Sequence, residues 1–396
     1  MENLTMKEIR EQEFTEYIRE IDELGTMPTA NIIVAGVTGA GKSTLLNAVL
    51  GEEFAETGMG EPITAEIKEY KKDGVPVCIW DTCGFELNPE RNKNTIEDIK
   101  DKIASKNSNQ DKFDKIHAIW YCINAEGKKF QETEVSFISE LYHIGVPFII
   151  IMTQCFSKKA NAEFEGKIRE ILHKYGLSDF PIVQVLAKEK EIEFGEEVKI
   201  ISPKGLKELV DRTVKAMPDY LKKSFIAAQK IDKVMKHDAS IKIITKYAEA
   251  FKKSIIAHTP FARVFMTNRG IEKMFKEIAI QYNTTILKEK DIKDICHETT
   301  NDMVRGVMKD LWKSKKSAES EMRHIFKELD INKDAEDYNT AVKSALVLIL
   351  DGFRFMSALE ELWDESTDEE LKNIEHVVGK LQEKLKNNYR SSRNKT

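Results

Sequence analysis

Eight residues, Gly36-Val37-Thr38-Gly39-Ala40-Gly41-Lys42-Ser43, constrain this chain more than any others. They fit G-x-x-x-x-G-K-[ST], a glycine-rich loop whose backbone amides cradle phosphate groups. The flanks give the pattern a mechanism. Ala30-Asn31-Ile32-Ile33-Val34-Ala35 ahead of it is a short apolar run with strand propensity. Ser43-Thr44-Leu45-Leu46-Asn47-Ala48-Val49-Leu50 behind it has helical periodicity. Strand, turn and helix in that order aim main-chain N–H groups and a helix N-terminus at one point. Gly36 and Gly41 allow dihedrals and close approaches that a Cβ would block. The expected cradle comprises Gly36, Thr38, Gly39, Ala40, Gly41, Lys42, Ser43 and Thr44. Lys42 reaches β- and γ-phosphates, and the Ser43 hydroxyl holds Mg²⁺.

Residues 29–218 alternate strand and helix patterns. Strand candidates are Asn31–Ala35, Ala65–Lys71, Val75–Asp81, Ile116–Ile123, Pro147–Thr153 and Ile182–Leu186. Asp73-Gly74 marks a hairpin between the second and third. The other strands are separated by helical patterns at 43–50, 94–104, 131–144, 163–175 and 204–217. The expected class is α/β: a mainly parallel six-stranded sheet covered on both faces, with one antiparallel strand at its edge. Before it, residues 1–28 read as an amphipathic helix on Phe14, Tyr17, Ile18, Ile21 and Leu24, ended by Gly25 and Pro28. After it, residues 219–396 show no clear strand and read as an all-α domain. Spacings such as Ile271, Met274, Phe275, Ile278 are helical, Pro260 breaks one helix, and Ala341–Phe355 has the length of a buried helix. The acidic run Glu360–Glu370 and the basic, frayed tail Lys384–Thr396 read as solvated surface.

Composition narrows the function. An apolar share of 41% with 32% charged residues suits long solvated helices. A net charge of −6, with no basic, aromatic-interleaved patch, argues against nucleic acid as a partner. No apolar run reaches bilayer length, and Met1–Leu24 has no apolar signal core. Peripheral membrane contact stays open, although the polar face of the N-terminal helix is acidic. The five cysteines are scattered without a C-x-x-C pair, which reads as reduced thiols in a cytoplasmic protein. The eight histidines show no metal-ligand spacing.

Downstream of the loop, Ile79-Trp80-Asp81-Thr82-Cys83-Gly84 ends an apolar strand in a carboxylate. Asp81 is the expected metal anchor, and Gly84 presents a backbone N–H to the γ-phosphate. Thr64, in a loop flanked by Gly58, Gly60 and Pro62, closes over Mg²⁺ and γ-phosphate.

Gly36–Ser43, Thr64 and Asp81–Gly84 together resemble the first three motifs of Era-like, translation-factor-related P-loop GTPases. Ile119–Asn124 resembles the fourth strand of bacterial ribosome-binding-type GTPases. Ser224–Lys230 with Thr259-Pro260-Phe261-Ala262 resembles an uncharacterised helical domain fused to such proteins. The resemblance implies GTP and GDP as ligands with Mg²⁺ and hydrolysis as a conformational switch, expected to be slow because this chain departs from the family pattern after Gly84. The usual N/T-K-x-D base motif is replaced by Thr153-Gln154-Cys155-Phe156, with no carboxylate in the last place. Thr153 braces the phosphate loop, Gln154 stacks its stem on the base, and Ala187-Lys188 stands where a backbone N–H contacts the guanine oxygen. Phe85 follows Gly84, so a water-orienting Gln is absent there, and Glu86 is the nearby carboxylate. Gly39 stands where potassium-activated relatives carry Asn. The expected partners are a guanine nucleotide and either a second copy of the chain or an activating protein. The alternatives are a nucleotide-dependent scaffold with little hydrolysis, or ATP in place of GTP.

Overall fold

The computed structural model describes residues 27–51, 54–55, 67–72, 75–82, 89–108, 115–177, 180–194, 197–253, 260–282, 284, 287, 290–292, 295, 317–329, 340–367 and 369–393. These fall into two compact units, Met27–Lys233 and a second whose described part starts at Val234. The amphipathic helix expected at the N-terminus lies outside the described residues.

The first unit is built on β1 (Ala30–Gly36), α1 (Lys42–Leu50), β2 (Lys68–Lys71), β3 (Val77–Asp81), α2 (Pro89–Ser108), β4 (Ala118–Asn124), α3 (Glu132–Tyr142), β5 (Phe148–Thr153), α4 (Lys158–Lys174) and β6 (Ile182–Gln184). Its six strands are ordered β2-β3-β1-β4-β5-β6. Every pairing is parallel except β2 with β3, so the antiparallel strand sits at the edge, as the sequence implies. β2 is mostly exposed and reads Lys-Glu-Tyr-Lys, a charged edge that discourages further pairing. The inner strands β1, β4 and β5 are near-continuous apolar runs because both their faces are covered.

Alternate residues sort to the two faces. Ile33, Tyr121, Ile150 and Met152 share one core with Ile99 of α2, Phe137 of α3 and Phe164 of α4. On the opposite face Trp120 is fully buried. Its indole N–H donates to Thr213 Oγ1 at 3.2 Å, and its ring meets Phe225 edge-on at 6.0 Å. Those partners belong to α5 (Leu206–Ala216) and α6 (Asp219–Ala228). α6 packs on β1 and β3. The unit therefore runs past residue 218, where the sequence pattern places a boundary, to Lys233. A strap follows α6: the Gln229 side chain accepts from the amides of Ile231 and Asp232 at 2.6 and 2.7 Å, and the Lys230 amide donates to Val49 O of α1 at 2.8 Å.

One element escapes the sequence pattern. β7 (Lys190–Phe194) and β8 (Glu197–Ile201) pair as an antiparallel ribbon apart from the main sheet. Its signal is two short alternations, Glu191-Ile192-Glu193 and Val198-Lys199-Ile200, too charged to stand out as strands.

The second unit contains α7, which begins at the boundary (Lys233–Lys253), α8 (Pro260–Gln281), α9 (Ser317–Glu328), α10 (Thr340–Glu365), a 3-10 turn at Glu370–Lys372 and α11 (Ile374–Arg393). Its described residues include no strand. Phe275 and Phe355 stack at 4.0 Å in its core. Glycines permit close approach there: a Cβ on Gly270 would lie 2.5 Å from Phe251, and one on Gly352 would lie 2.7 Å from Ile244. No helix among the described residues is long and apolar enough to cross a membrane.

Both charge runs depart from a purely solvated surface. Glu360 accepts from the Tyr282 hydroxyl at 2.7 Å and lies 2.6 Å from His237 Nδ1, while Glu321 lies 3.2 Å from Nε2. Glu361 and Glu365 accept from Lys384 at 3.3 and 2.7 Å, which ties α10 to α11. The basic segment expected to fray from Lys384 is helical as far as Arg393. Opposite charges on adjacent helices select each other, which a run read in isolation cannot reveal.

Two outcomes follow from this packing. Phe225→Ala lowers the stability of the first unit by about 3–5 kcal/mol, read by denaturant unfolding; a cost within experimental error would mean α6 is not part of its core. His237 is pushed up to about 9, chiefly by the hydrogen bond to Glu360 and then by Glu321. A raised histidine stabilises fully below its ordinary value of 6.5 and loses that contribution as pH rises through about 9. The pair is partly exposed, so about 1–2 kcal/mol is expected to be lost between pH 6 and 9.5. His237→Gln removes that slope, and equal slopes in the two proteins would refute the assignment.

Candidate functional site

The glycine-rich segment runs from the end of β1 to the start of α1. Gly36 has φ +142°, and a Cβ there would lie 2.3 Å from the Cys122 carbonyl oxygen, so β1 and β4 meet with no room for a side chain. Gly41, at φ +81°, caps α1. Neighbouring strand ends clamp the turn between these glycines. Thr153 Oγ1 donates to Ala40 O at 2.6 Å, and Asn124 Nδ2 donates to Gly39 O at 3.2 Å. The Thr153 brace was expected. Asn124 was not; its only signal is a polar residue closing an apolar strand at the C-terminal edge of the sheet.

The start of α1 favours an anion. It has no side-chain cap and no acidic residue in its first turn. Its leading N–H groups and the positive end of its dipole are therefore not neutralised by side chains of the helix itself. Lys42 Nζ donates to the Gly36 carbonyl at 3.0 Å, which holds the ammonium over the turn. Ser43 and Thr44 follow in the first turn.

Asp81 ends β3 and pairs in register with Val34 of β1, which places it beside the phosphate loop. Its Oδ1 is buried with no hydrogen-bond partner. Burial pushes the carboxyl up to about 6, opposed by the nearby charges of Lys42 and Lys68. A buried carboxylate short of donors has the chemistry of a ligand for a hard cation. The described residues hold no cluster of three His, Cys, Asp or Glu that could bind a metal alone. Thr64, Gly84 and Glu86 lie outside the described residues.

Next to the loop opens a pocket of about 200 Å³. Gly41, Thr44, Thr153, Gln154, Ala187 and Lys188 line it, so the three residues expected to meet the base, Gln154, Ala187 and Lys188, come together there beside the loop brace Thr153. Gln154 adopts a left-handed φ of +55°, a costly conformation for a non-glycine residue and one that concentrates at binding sites. Backbone bonds hold both walls. The Cys155 amide donates to Val185 O at 3.0 Å, and Leu186 and Lys204 exchange bonds of 2.9 and 3.0 Å. Cys155 itself is buried and unbonded to other sulfurs, as are Cys78 and Cys122. Glu189 and Lys190 also line the pocket, and the sequence reading did not single them out.

Residues 31–154 match the protein-family model described as "50S ribosome-binding GTPase". Cell division control protein 10 of Saccharomyces cerevisiae is 25% identical over 200 residues, covering 44% of this chain. The chain spans 62% of that relative's length. Among solved structures, a "probable GTP-binding protein engB" is 20% identical with a TM-score of 0.34, covering 47% of this chain and 98% of that one. A structure of the chloroplast translocon components atToc33 and psToc159 is 12% identical with a TM-score of 0.38, covering 53% and 91%. An Era variant of Aquifex aeolicus bound to GDP.AlF4- is 16% identical with a TM-score of 0.34, covering 58% and 70%.

The Asp81 environment makes a signed prediction. Its folded value is raised from 3.8 to about 6, so without a cation its contribution to stability falls as pH rises across that interval. At pH 7 in chelator, Asp81→Asn is expected to be about 1–2 kcal/mol more stable than the parent. The same variant gains less from added Mg²⁺ with nucleotide. Thermal unfolding reads both, and an Asn variant less stable than the parent in chelator would contradict the unpaired carboxylate.

Proposed function

We propose that the first unit binds GTP with Mg²⁺ and hydrolyses it slowly to GDP and phosphate, and that the chain works as a switch of the Era-like branch. The observation that carries this reading is the uncapped start of α1 beside the Asp81 Oδ1, which is buried without a hydrogen-bond partner. One feature asks for a polyphosphate and the other for its cation.

The loop amides from Gly39 to Ser43 bind and orient the phosphates, and Lys42 turns from the Gly36 carbonyl to the β- and γ-oxygens. Ser43 and Asp81 hold the cation, which when bound neutralises charge on the bridging phosphate oxygens. Thr153, through Ala40, keeps the loop in shape, and Gln154, Ala187 and Lys188 face the base. In this reading Thr64 and Gly84 order on the triphosphate and relax after its hydrolysis. Phe85 in place of a water-orienting Gln makes intrinsic turnover slow. A second copy or an activating protein in the cytoplasm then supplies the missing group, and the helical unit passes the change to a partner.

A scaffold in which occupancy alone sets conformation is the second reading, favoured by that same Phe85. Titration of GTP, GDP and ATP with and without Mg²⁺ addresses ligand and metal together. GTP and GDP are expected to bind only weakly in chelator, and Lys42→Ala to lower GTP affinity by roughly 100-fold. Phosphate release is expected to be slow in dilute protein and to rise with protein concentration or partner. Fast, concentration-independent release would overturn the slow switch, and no affinity for any purine triphosphate would overturn the site.

A further inference from the structure

We infer that Glu189 reads the guanine base, in place of the carboxylate missing from the Thr153–Phe156 motif. This rests on the nucleotide reading above and names the residue that gives it base specificity. The last place of that motif is Phe156, which has no acceptor on its side chain. Glu189 lines the pocket beside the phosphate loop together with Thr153 and Lys188.

Three observations set it up for the task. The Glu189 carboxylate has no hydrogen bond or ion pair among the described residues. Its two basic neighbours do not neutralise it: Lys190 is drawn to Glu126 at 2.6 Å, with its ammonium 4.3 Å from the centre of the Phe156 ring, and Lys188 makes no ion pair there. The short segment carrying it is pinned at both ends, by the Leu186–Lys204 bonds before it and by the start of β7 at Lys190 after it. A carboxylate held this way accepts from two donors at once. Guanine presents such a pair on one edge, the ring N1–H and the 2-amino group, and adenine does not. Charge-assisted pairing of that kind is what the altered motif lacks.

Competition against a fluorescent GDP analogue, in Mg²⁺, with unlabelled GDP, ADP and XDP tests this. Glu189→Gln is expected to weaken GDP by roughly 10- to 100-fold and to change ADP by less than about threefold. XDP, whose 2-oxo group suits the amide donor of Gln, should gain relative to GDP. Glu191→Gln, which removes the same charge from β7 outside the pocket, should leave all three unchanged. A Glu189→Gln protein that keeps the parental GDP to ADP ratio overturns the inference, as does an equal loss of both, which would mean that Glu189 only shapes the loop. A parent that binds GDP while the variant matches it sinks this proposal alone. A parent that binds no purine nucleotide sinks the nucleotide site as well.

Discussion

The contact on which the first unit depends is the one between Gly36 and the Cys122 carbonyl. It contains no side chain. Two parallel strands come so close at their C-terminal ends that only a hydrogen fits on the Gly36 Cα. That approach forces the chain to leave the sheet as a tight turn, and the turn then delivers its amides to the start of α1. Thr153 and Asn124, the last residues of β5 and β4, close on the same turn from the adjoining strands. The site is thus a property of three strand ends in register rather than of a loop, and a rigid sheet positions it.

Electrostatics divides the site. At the phosphate end, a helix N-terminus and Lys42 gather positive potential, and burial pushes the Asp81 carboxyl up against the opposing charges of Lys42 and Lys68. At the pocket end Lys190 is paired with Glu126, while Glu189 and Lys188 make no ion pair among the described residues. The first end favours any polyphosphate. The second discriminates weakly unless a side chain meets a base edge directly.

Much of this was legible in the sequence because its signals are local. The phosphate loop carries glycines at fixed spacing, and the inner strands are apolar runs that no surface element resembles. The one antiparallel edge pair follows from an Asp-Gly turn, and the parallel pairing of the rest from helices separating the remaining strands. What stayed hidden depends on distant partners. Asn124 is an unremarkable strand end until Gly39 comes beside it. Glu360 belongs to an acidic run until His237 and Tyr282 approach from other helices. The β7–β8 ribbon alternates too briefly, and among too many charges, to register as two strands.

The strap after α6 sets where the nucleotide-binding half can be cut. Trp120 is closed off by Thr213 and Phe225, and the chain then returns through Gln229 to fasten Lys230 on Val49, at the far end of α1 from the phosphate loop. A fragment ending at the nominal edge of the fold, near Pro218, keeps Thr213 but loses Phe225, which uncovers one side of the Trp120 indole and the sheet face under α6. One carried through Asp232 keeps the buttress of α1 intact, so recombinant work on this half should take the later terminus.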